Sequence, residues 1–304
     1  MKIHLLLKRG LGNQLFQYAA GLYFAKKYGA TLEIIREPEK LAVSFGHPRP
    51  FMLSEFRISA PVRGLTTSDR LMCSVAPIKK PIAATARLAT RTVAFRQHYL
   101  TDGTFLPALP IARSTRNVYL EGNFQAHQFA QEIEQTIRTE FQLRNPASGK
   151  NLSSLNQIRA AENPISVHVR CGDYKVRGAG PQVLPLSYHL RAMQTLVQKV
   201  ANPRFFVFSD DIAFARENLP EGYDMVFVDH NDEANGQEDL RLMSACRHHI
   251  IANSTFSWWG AWLNPQPTKL VCAPMNWHNI NTSVPYPDLI PPDWLRIAVD
   301  AQAS

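Results

Sequence analysis

Residues 168–174, His168-Val169-Arg170-Cys171-Gly172-Asp173-Tyr174, crowd a fixed cation, an imidazole and a carboxylate at the end of the apolar run Ile165–Val169. Side chains alternate along a strand, so His168 and Arg170 share one face. A guanidinium is a permanent planar fork, the shape that grips a diphosphate by two oxygens. Asp173 follows a glycine turn. It either pairs with Arg170 and only fixes that turn, or meets a reacting hydroxyl as general base. A second group, Asn253-Ser254-Thr255-Phe256-Ser257, opens an apolar helical stretch. Hydroxyls and free N–H groups at a helix start cradle an anion; an elaborate N-cap is the purely structural alternative. Gly10-Leu11-Gly12-Asn13-Gln14 follows the first apolar run and lets backbone approach a phosphate or sugar. Ser209-Asp210-Asp211 and Glu238-Asp239 place carboxylates beside two further elements, and one of the first pair serves as a helix cap. The chain contains no D-x-D metal motif, and the adjacent His248 and His249 cannot readily share one ion. Nor does any Ser-His-Asp arrangement stand out. The chemistry that remains is group transfer from a nucleotide diphosphate, with leaving-group charge met by a protein cation and helix dipoles.

Such residues need strands to carry them and helices to follow. Ile3–Leu7 reads as a buried strand, Leu15–Tyr28 as a helix stopped by Gly29, and Thr31–Ile35 as a second strand. Val118–Glu121 reads as a strand and Gln125–Phe141 as one helix. Residues 36–116 hold many prolines and read as irregular, apart from the stretch between Pro81 and Pro107. The polar segment 147–163 marks the domain boundary. Beyond it strands at 165–169, 205–208, 226–228, 249–252 and 270–272 alternate with helices at 187–200, 211–218, 237–246 and 256–263. Trp258, Trp259 and Trp262 read as core of the last helix. The tail from Pro274 shows no periodicity. Alternating elements imply parallel sheets. The expected fold is α/β, two Rossmann-like lobes, 1–150 and 151–304, with ligands in the cleft at the carboxyl ends of their strands.

Charge is unevenly spread. The chain of 304 residues carries 33 Lys and Arg against 25 Asp and Glu, an excess of +8. Residues 49–116 alone hold 11 basic residues and three acids (Glu55, Asp69, Asp102), 11 − 3 = +8, so the rest is neutral. Within 77–98, Ile82, Ala86, Ala89 and Val93 fall on one helical face, with Lys80, Arg87 and Arg91 opposite. A basic amphipathic helix suits an anionic membrane surface; a solvated helix packed on its own lobe is the plain alternative. The aromatics there do not interleave with bases as a nucleic-acid platform would. Cys73, Cys171, Cys246 and Cys272 lie far apart, without zinc spacing, and read as reduced cytosolic thiols. No apolar stretch is long enough to span a membrane. An NAD site fits poorly, because Leu15 replaces the third glycine of the fingerprint, although Glu33 lies about where a ribose-binding acid would.

The strings GLGNQLFQYAAGLYFAKKYGATL, RPFMLSEFRI, YLEGNFQAHQF, SVHVRCGDY, FFVFSDD and EDLRLMSACRHHIIANSTFSWWGAWLN, in order from residue 10 to 264, resemble the motifs of alpha-1,2-fucosyltransferases, glycosyltransferase family 11. The resemblance implies a GT-B-type fold, GDP-fucose as donor, no metal or other cofactor, inversion at the anomeric carbon, and transfer to the 2-hydroxyl of a galactose. It implies that Arg170 holds the β-phosphate and steadies departing GDP, and that His168 lies near guanine or ribose. By the same likeness Asp239 is a guanine reader, and Ser254, Thr255, Phe256 and Ser257 are a phosphate cradle. Asp210 of FFVFSDD is grouped with the donor residues, and Gly12, Asn13 and Gln14 approach the donor from the first lobe. Asp173 is carried as the candidate base. Cys171 stands where the family usually has a second arginine. Relatives without a signal or membrane helix are usually bacterial enzymes acting on cytosolic, often lipid-linked glycans. The expected partners are therefore GDP-fucose, a galactose-terminated acceptor and an anionic inner membrane face, with no nucleic acid. Another GDP-sugar or acceptor, or a non-catalytic polysaccharide-binding module, are the competing readings.

Overall fold

The computed structural model describes residues 1–38, 43–44, 47–73, 80–97, 104–171, 183–277 and 288–299. Asp173, with Gly172 and Tyr174, lies outside them. The chain forms two compact units, Met1–Gln142 with Tyr286–Leu289, and Leu143–Pro285 with Ile290–Ser304. The division falls after Gln142, eight residues before the expected boundary at 150. The polar segment belongs wholly to the second unit, where Gly149–Ala160 is a helix that buries Leu155 and Ile158.

In the first unit, β1 (Lys2–Leu7), α1 (Leu11–Tyr28) and β2 (Thr31–Arg36) form the opening βαβ. β1 pairs in parallel with β2. α1 ends where Gly29 takes φ 57°, a left-handed turn open to glycine at little cost. Then come a two-residue hairpin, β3 (Val43–Ser44) and β4 (His47–Pro48), followed by β5 (Val62–Gly64), α2 (Thr67–Cys73), α3 (Lys80–Thr90), β6 (Thr92–Arg96), β7 (Asn117–Glu121), α4 (His127–Gln131) and α5 (Glu134–Glu140). The main sheet runs β5-β2-β1-β7-β6, all parallel. Chain order runs outward from β1 to one side through β2 and β5, then resumes on the other. The strand order therefore switches between β1 and β7.

Several expectations are corrected here. α1 starts at Leu11, not Leu15, so Gly12, Asn13 and Gln14 form its first turn and not a preceding loop. The helix expected over 125–141 is two, broken around Glu132–Ile133, where the backbone leaves helical geometry at Ile133. The region read as irregular holds β5 and α2, elements too short for periodicity to reveal, while the excepted stretch after Pro81 holds α3 and β6. Val93 lies in a strand, not on the amphipathic helix, and the face of α3 turned inward carries Ala83, Ala86 and Arg87. Ile82, expected on the packed face, is 61% exposed.

The second unit comprises α6 (Gly149–Ala160), β8 (Asn163–Val169), α7 (Leu186–Val197), β9 (Pro203–Ser209), α8 (Ile212–Asn218), β10 (Met225–Phe227), α9 (Gly236–Ala245), β11 (His248–Ile250), α10 (Thr255–Leu263), β12 (Val271–Pro274) and β13 (Leu295–Ile297). Its parallel sheet runs β10-β9-β8-β11-β12-β13, the full Rossmann order. β13, in the tail read as aperiodic, closes one edge against β12. Strand alternation splits the core. Ile165, Val167 and Val169 pack with Tyr188, Ala192 and Met193 of α7 on one face. Phe206 and Phe208 pack with Leu242 and Met243 of α9 and Ile158 of α6 on the other. Trp258 and Trp259 are fully buried and Trp262 nearly so, as core residues of α10. His249, also buried, bonds Ser166 at 2.8 Å and Asn264 at 2.8 Å, which accounts for the polar atoms of a strand histidine.

Candidate active site

In open parallel sheets, ligands sit beyond the carboxyl ends of the strands where the order reverses. In the second unit that point lies between β8 and β11. Arg170 follows β8, and the N-terminus of α10 follows β11. Arg170 and the Ser254–Ser257 group therefore follow the two neighbouring strands at the switch point of one unit.

Arg170 is ion-paired through Nη1 to Asp210 Oδ2 at 3.2 Å. Asp210 also accepts the backbone N–H of Cys171 at 2.9 Å. One carboxylate thus holds both the backbone leaving β8 at Cys171 and the Arg170 cation. Its neighbour Asp211 caps α8 by accepting the N–H of Phe214 at 3.1 Å. The two aspartates divide the roles that sequence could not separate. Cys171 is buried, as expected of a residue directed away from the Arg170 face.

His168 is 4% exposed, and its ring lies 5.8 Å from that of Phe256. Burial first, then the Arg170 charge and His189, push its pKa down to about 3, so the imidazole is neutral. Its Nδ1 has no hydrogen-bond partner among the described residues. Such a buried polar atom marks a place for a further donor or acceptor.

At the start of α10, Ser254 is the N-cap, its hydroxyl accepting from Phe256 N–H at 3.4 Å. Ser257 Oγ turns inward to the Ser254 carbonyl at 3.2 Å and is 2% exposed. Thr255 and Phe256 are half-exposed. What this end offers an anion is the helix terminus with Thr255, more than a row of hydroxyls.

Asp239 lies in the first turn of α9. It accepts from Asn231 Nδ2 at 2.7 Å. Asn231 is locked to Asn151 of α6 by two amide bonds of 2.8 and 3.0 Å, and His230 Nε2 meets the same Asn151 at 2.9 Å. Burial raises the Asp239 pKa to about 6 against the Asn231 hydrogen bond, with Glu238 adding to the rise. Glu238 itself is engaged by Arg241 at 3.0 Å. Asp239 is thus a half-buried carboxylate on a fixed mount, able to switch protonation near neutrality.

The first unit has its own switch point, between β1 and β7. A cavity of about 150 Å³ opens there, lined by Lys8, Arg9, Arg96, Gln97, Glu121 and Asn123 among others. Glu121 accepts from Lys8 Nζ at 2.9 Å and Arg96 Nε at 2.9 Å. Burial raises the Glu121 pKa, but these two cations outweigh it and hold the carboxyl below its usual range. Arg9 takes φ 69° and Phe124 φ 51°, left-handed conformations rare for such side chains. A Cβ on Gly122 would stand 2.7 Å from Gln97 Cβ, so only glycine lets the two backbones meet at this floor. Strained residues gathered at one crevice point to a site.

Gln14 does not face that space. It is 3% exposed, donates to the carbonyls of Arg9 and Pro50 at 2.8 Å each, and accepts from Met52 N–H at 3.1 Å. It straps the 49–52 segment to the start of α1. Asn13 is half-buried and accepts from Gln125 Nε2 at 2.7 Å. Glu33, the ribose-reader position, is tied up by Lys2, His4 and Arg63 at 2.7–3.0 Å. That removes the remaining support for an NAD site. Sequence reasoning missed Lys8, Arg9, Arg96, Glu121 and the Asn151–Asn231 mount. The only signal was that Lys8, Arg9 and Glu121 end two strands. Among the described residues, no three His, Cys, Asp or Glu side chains converge as a metal site.

Comparison with known proteins places this geometry. The chain is 29% identical to the O-antigen biosynthesis glycosyltransferase WbnK of Escherichia coli, over 89% of this chain and 93% of that protein. It is 28% identical to an alpha-1,2-colitosyltransferase of Escherichia coli, over 96% and 97%. It is 30% identical to galactoside alpha-(1,2)-fucosyltransferase 1 of Lagothrix lagotricha, over 44% of this chain and 40% of that one. Among solved structures it is similar in fold to the NodZ alpha-1,6-fucosyltransferase soaked with GDP-fucose, with TM-score 0.50 and 14% identity over 85% and 91%. That likeness agrees with the two Rossmann-like units and assigns the α/β, GT-B-type fold. The model of glycosyl transferase family 11 matches residues 2–298, and the chain belongs to that family.

Proposed function

We propose that this protein is a galactoside alpha-1,2-fucosyltransferase that inverts the anomeric centre of GDP-fucose and needs no metal. The observation that carries the reading is the Arg170–Asp210 pair facing the α10 N-terminus across the switch point of the second unit. A fixed cation and a helix terminus there match a leaving diphosphate. Asp239 supplies the acceptor-only carboxylate that a guanine edge, with its N–H donors, would seek. The acceptor 2-hydroxyl attacks C1 of fucose, the C1–O bond to the β-phosphate breaks, and GDP leaves with the electron pair. The hydroxyl proton passes to a base, for which Asp173 remains the candidate.

The acceptor belongs to the first unit. Its cavity falls short of the roughly 300–1,000 Å³ of a drug-sized pocket and suits a single sugar residue. Glu121 with Lys8 and Arg96 offers sugar hydroxyls both acceptors and donors. Glu121→Gln is expected to raise acceptor KM about tenfold, the worth of one charged hydrogen bond. Acceptor-free hydrolysis of GDP-fucose stays at the wild-type rate. A galactose-terminated, lipid-linked precursor of a surface polysaccharide is the acceptor we favour, used at the inner face of the plasma membrane.

GDP release from GDP-fucose across a panel of galactosides tests the donor and acceptor together. The full-length similarity to an alpha-1,2-colitosyltransferase supports one second reading, another GDP-sugar on the same scaffold. Faster release from that donor than from GDP-fucose would select it.

A further inference from the structure

The basic block gains a definite shape in α3. Its buried side is narrow: Ala83 is fully covered, and Ala86 and Arg87 are half-covered. Arg87 spends its Nε on the Met72 carbonyl at 2.7 Å, which ties the helix to α2. The opposite arc, at 100° per residue, carries Ala84, Leu88, Pro81, Thr85, Ala89 and Ile82, all exposed and none charged. Leu88 is 82% exposed and Ile82 61%. Of the large apolar side chains exposed among the described residues, these are the only two that share a helix with each other.

Cations bracket this arc. Lys80 stands at its first turn and Arg91 just past its last, about 16 Å away at 1.5 Å per residue. Arg116 lies beside Arg91, its backbone N–H bonded to the Arg91 carbonyl at 2.8 Å, and Arg113 occupies the same loop. All four are exposed, and residues 80–97 and 104–116 contain no acid. Of the three acids in the block, Asp69 is buried against Arg63, Glu55 precedes the segment, and Asp102 lies outside the described residues.

A polyanion such as nucleic acid or an acidic glycan would use the arginines but has no use for Leu88 and Ile82. A neutral protein groove would use the leucine but not the ring of cations. An apolar arc framed by cations fits a bilayer surface with anionic headgroups, where short side chains reach below the phosphates and the bases remain at their level. We propose that α3, with Arg91, Arg113 and Arg116, is a peripheral docking surface for anionic lipid. The surface uses none of the residues assigned to donor or acceptor, so it stands whether or not the fucosyltransferase reading does.

The test is flotation of the full chain with vesicles of phosphatidylcholine alone and of phosphatidylcholine with phosphatidylglycerol. Binding is expected only to the second, weakening as salt rises. Arg91→Gln and Arg116→Gln are each expected to lower the partition about fivefold, the equivalent of about 1 kcal/mol per basic residue. The double variant Ile82→Glu, Leu88→Glu is expected to lose flotation while its thermal midpoint and its activity on a soluble acceptor stay at wild type, since both side chains are already in water. No flotation with anionic vesicles at low salt overturns the proposal. So does a double variant that floats as well as the wild type, because the arginines alone would then suffice and any polyanion could compete.

Discussion

Arg170→Ala is expected to cut the rate of fucosyl transfer about 10²–10³-fold, the usual cost of removing one donor from a preorganised charge-stabilising site. The loss should be in kcat more than in donor KM. Charge on the diphosphate rises as the glycosidic bond breaks, so the cation is worth most in the transition state. Arg170→Lys should recover only part, because an ammonium is a point charge without the fork that spans two oxygens. Asp210→Asn should fall between. It keeps an acceptor for Cys171 N–H but drops the ion pair that aims the guanidinium. None of the three should unfold the second unit, since Arg170 and Asp210 are partly exposed and its core lies beneath them. Steady-state GDP release beside thermal midpoints checks this. A fall in the midpoint that accounts for the lost activity would make the pair structural.

GDP affinity is expected to fall about tenfold between pH 7 and pH 5, because the Asp239 carboxyl titrates near 6 and only its ionised form accepts from a guanine edge. Asp239→Asn should cost roughly 10- to 150-fold in GDP affinity at pH 7, the range for a hydrogen bond to a charged group, and should flatten the pH profile. The linkage sign for stability is opposite to that of the usual salt-bridged aspartate. The folded pKa lies above the unfolded one, so the folded state binds more protons between about pH 4 and 6. Stability from this group is therefore present at low pH and lost as pH rises through 6. Across that window the Asp239 contribution falls, against the gain from the buried neutral His168 and His189, so it is read as the difference between wild type and Asp239→Asn, while the GDP-induced shift in thermal midpoint grows. Titrating that shift from pH 5 to 7.5 separates the two trends. A GDP shift that ignores pH would remove Asp239 from the nucleotide site.

The second unit was nearly transparent to sequence reading because its central strands are largely buried and its longer helices show periodicity. Ile165–Val169 and Phe205–Phe208 could only be parallel-core strands, and they delivered Arg170 and Asp210 to strand ends. Between β2 and β7 the first unit showed only the helix within 77–98, because Val62–Gly64 has three residues and Thr92–Arg96 is a short edge strand. Single residues were harder than elements. Gln14 carried a motif signal, yet its amide is consumed by backbone at Arg9, Pro50 and Met52. Glu121 carried no signal because a lone acid after a strand is ordinary, and it acquires meaning only when β1 and β6 bring Lys8 and Arg96 beside it. The sixth strand, Leu295–Ile297, was missed because three residues after a Pro- and Trp-rich tail have no period.

The most direct test of the central claim is the structure of the product formed from GDP-fucose and a terminal β-galactoside in the presence of a chelator. Proton NMR should show fucose α-linked to O2 of galactose, formed at an undiminished rate. A product linked at another hydroxyl, retention of the donor's β configuration, or activity that vanishes until a divalent metal is restored would contradict the account.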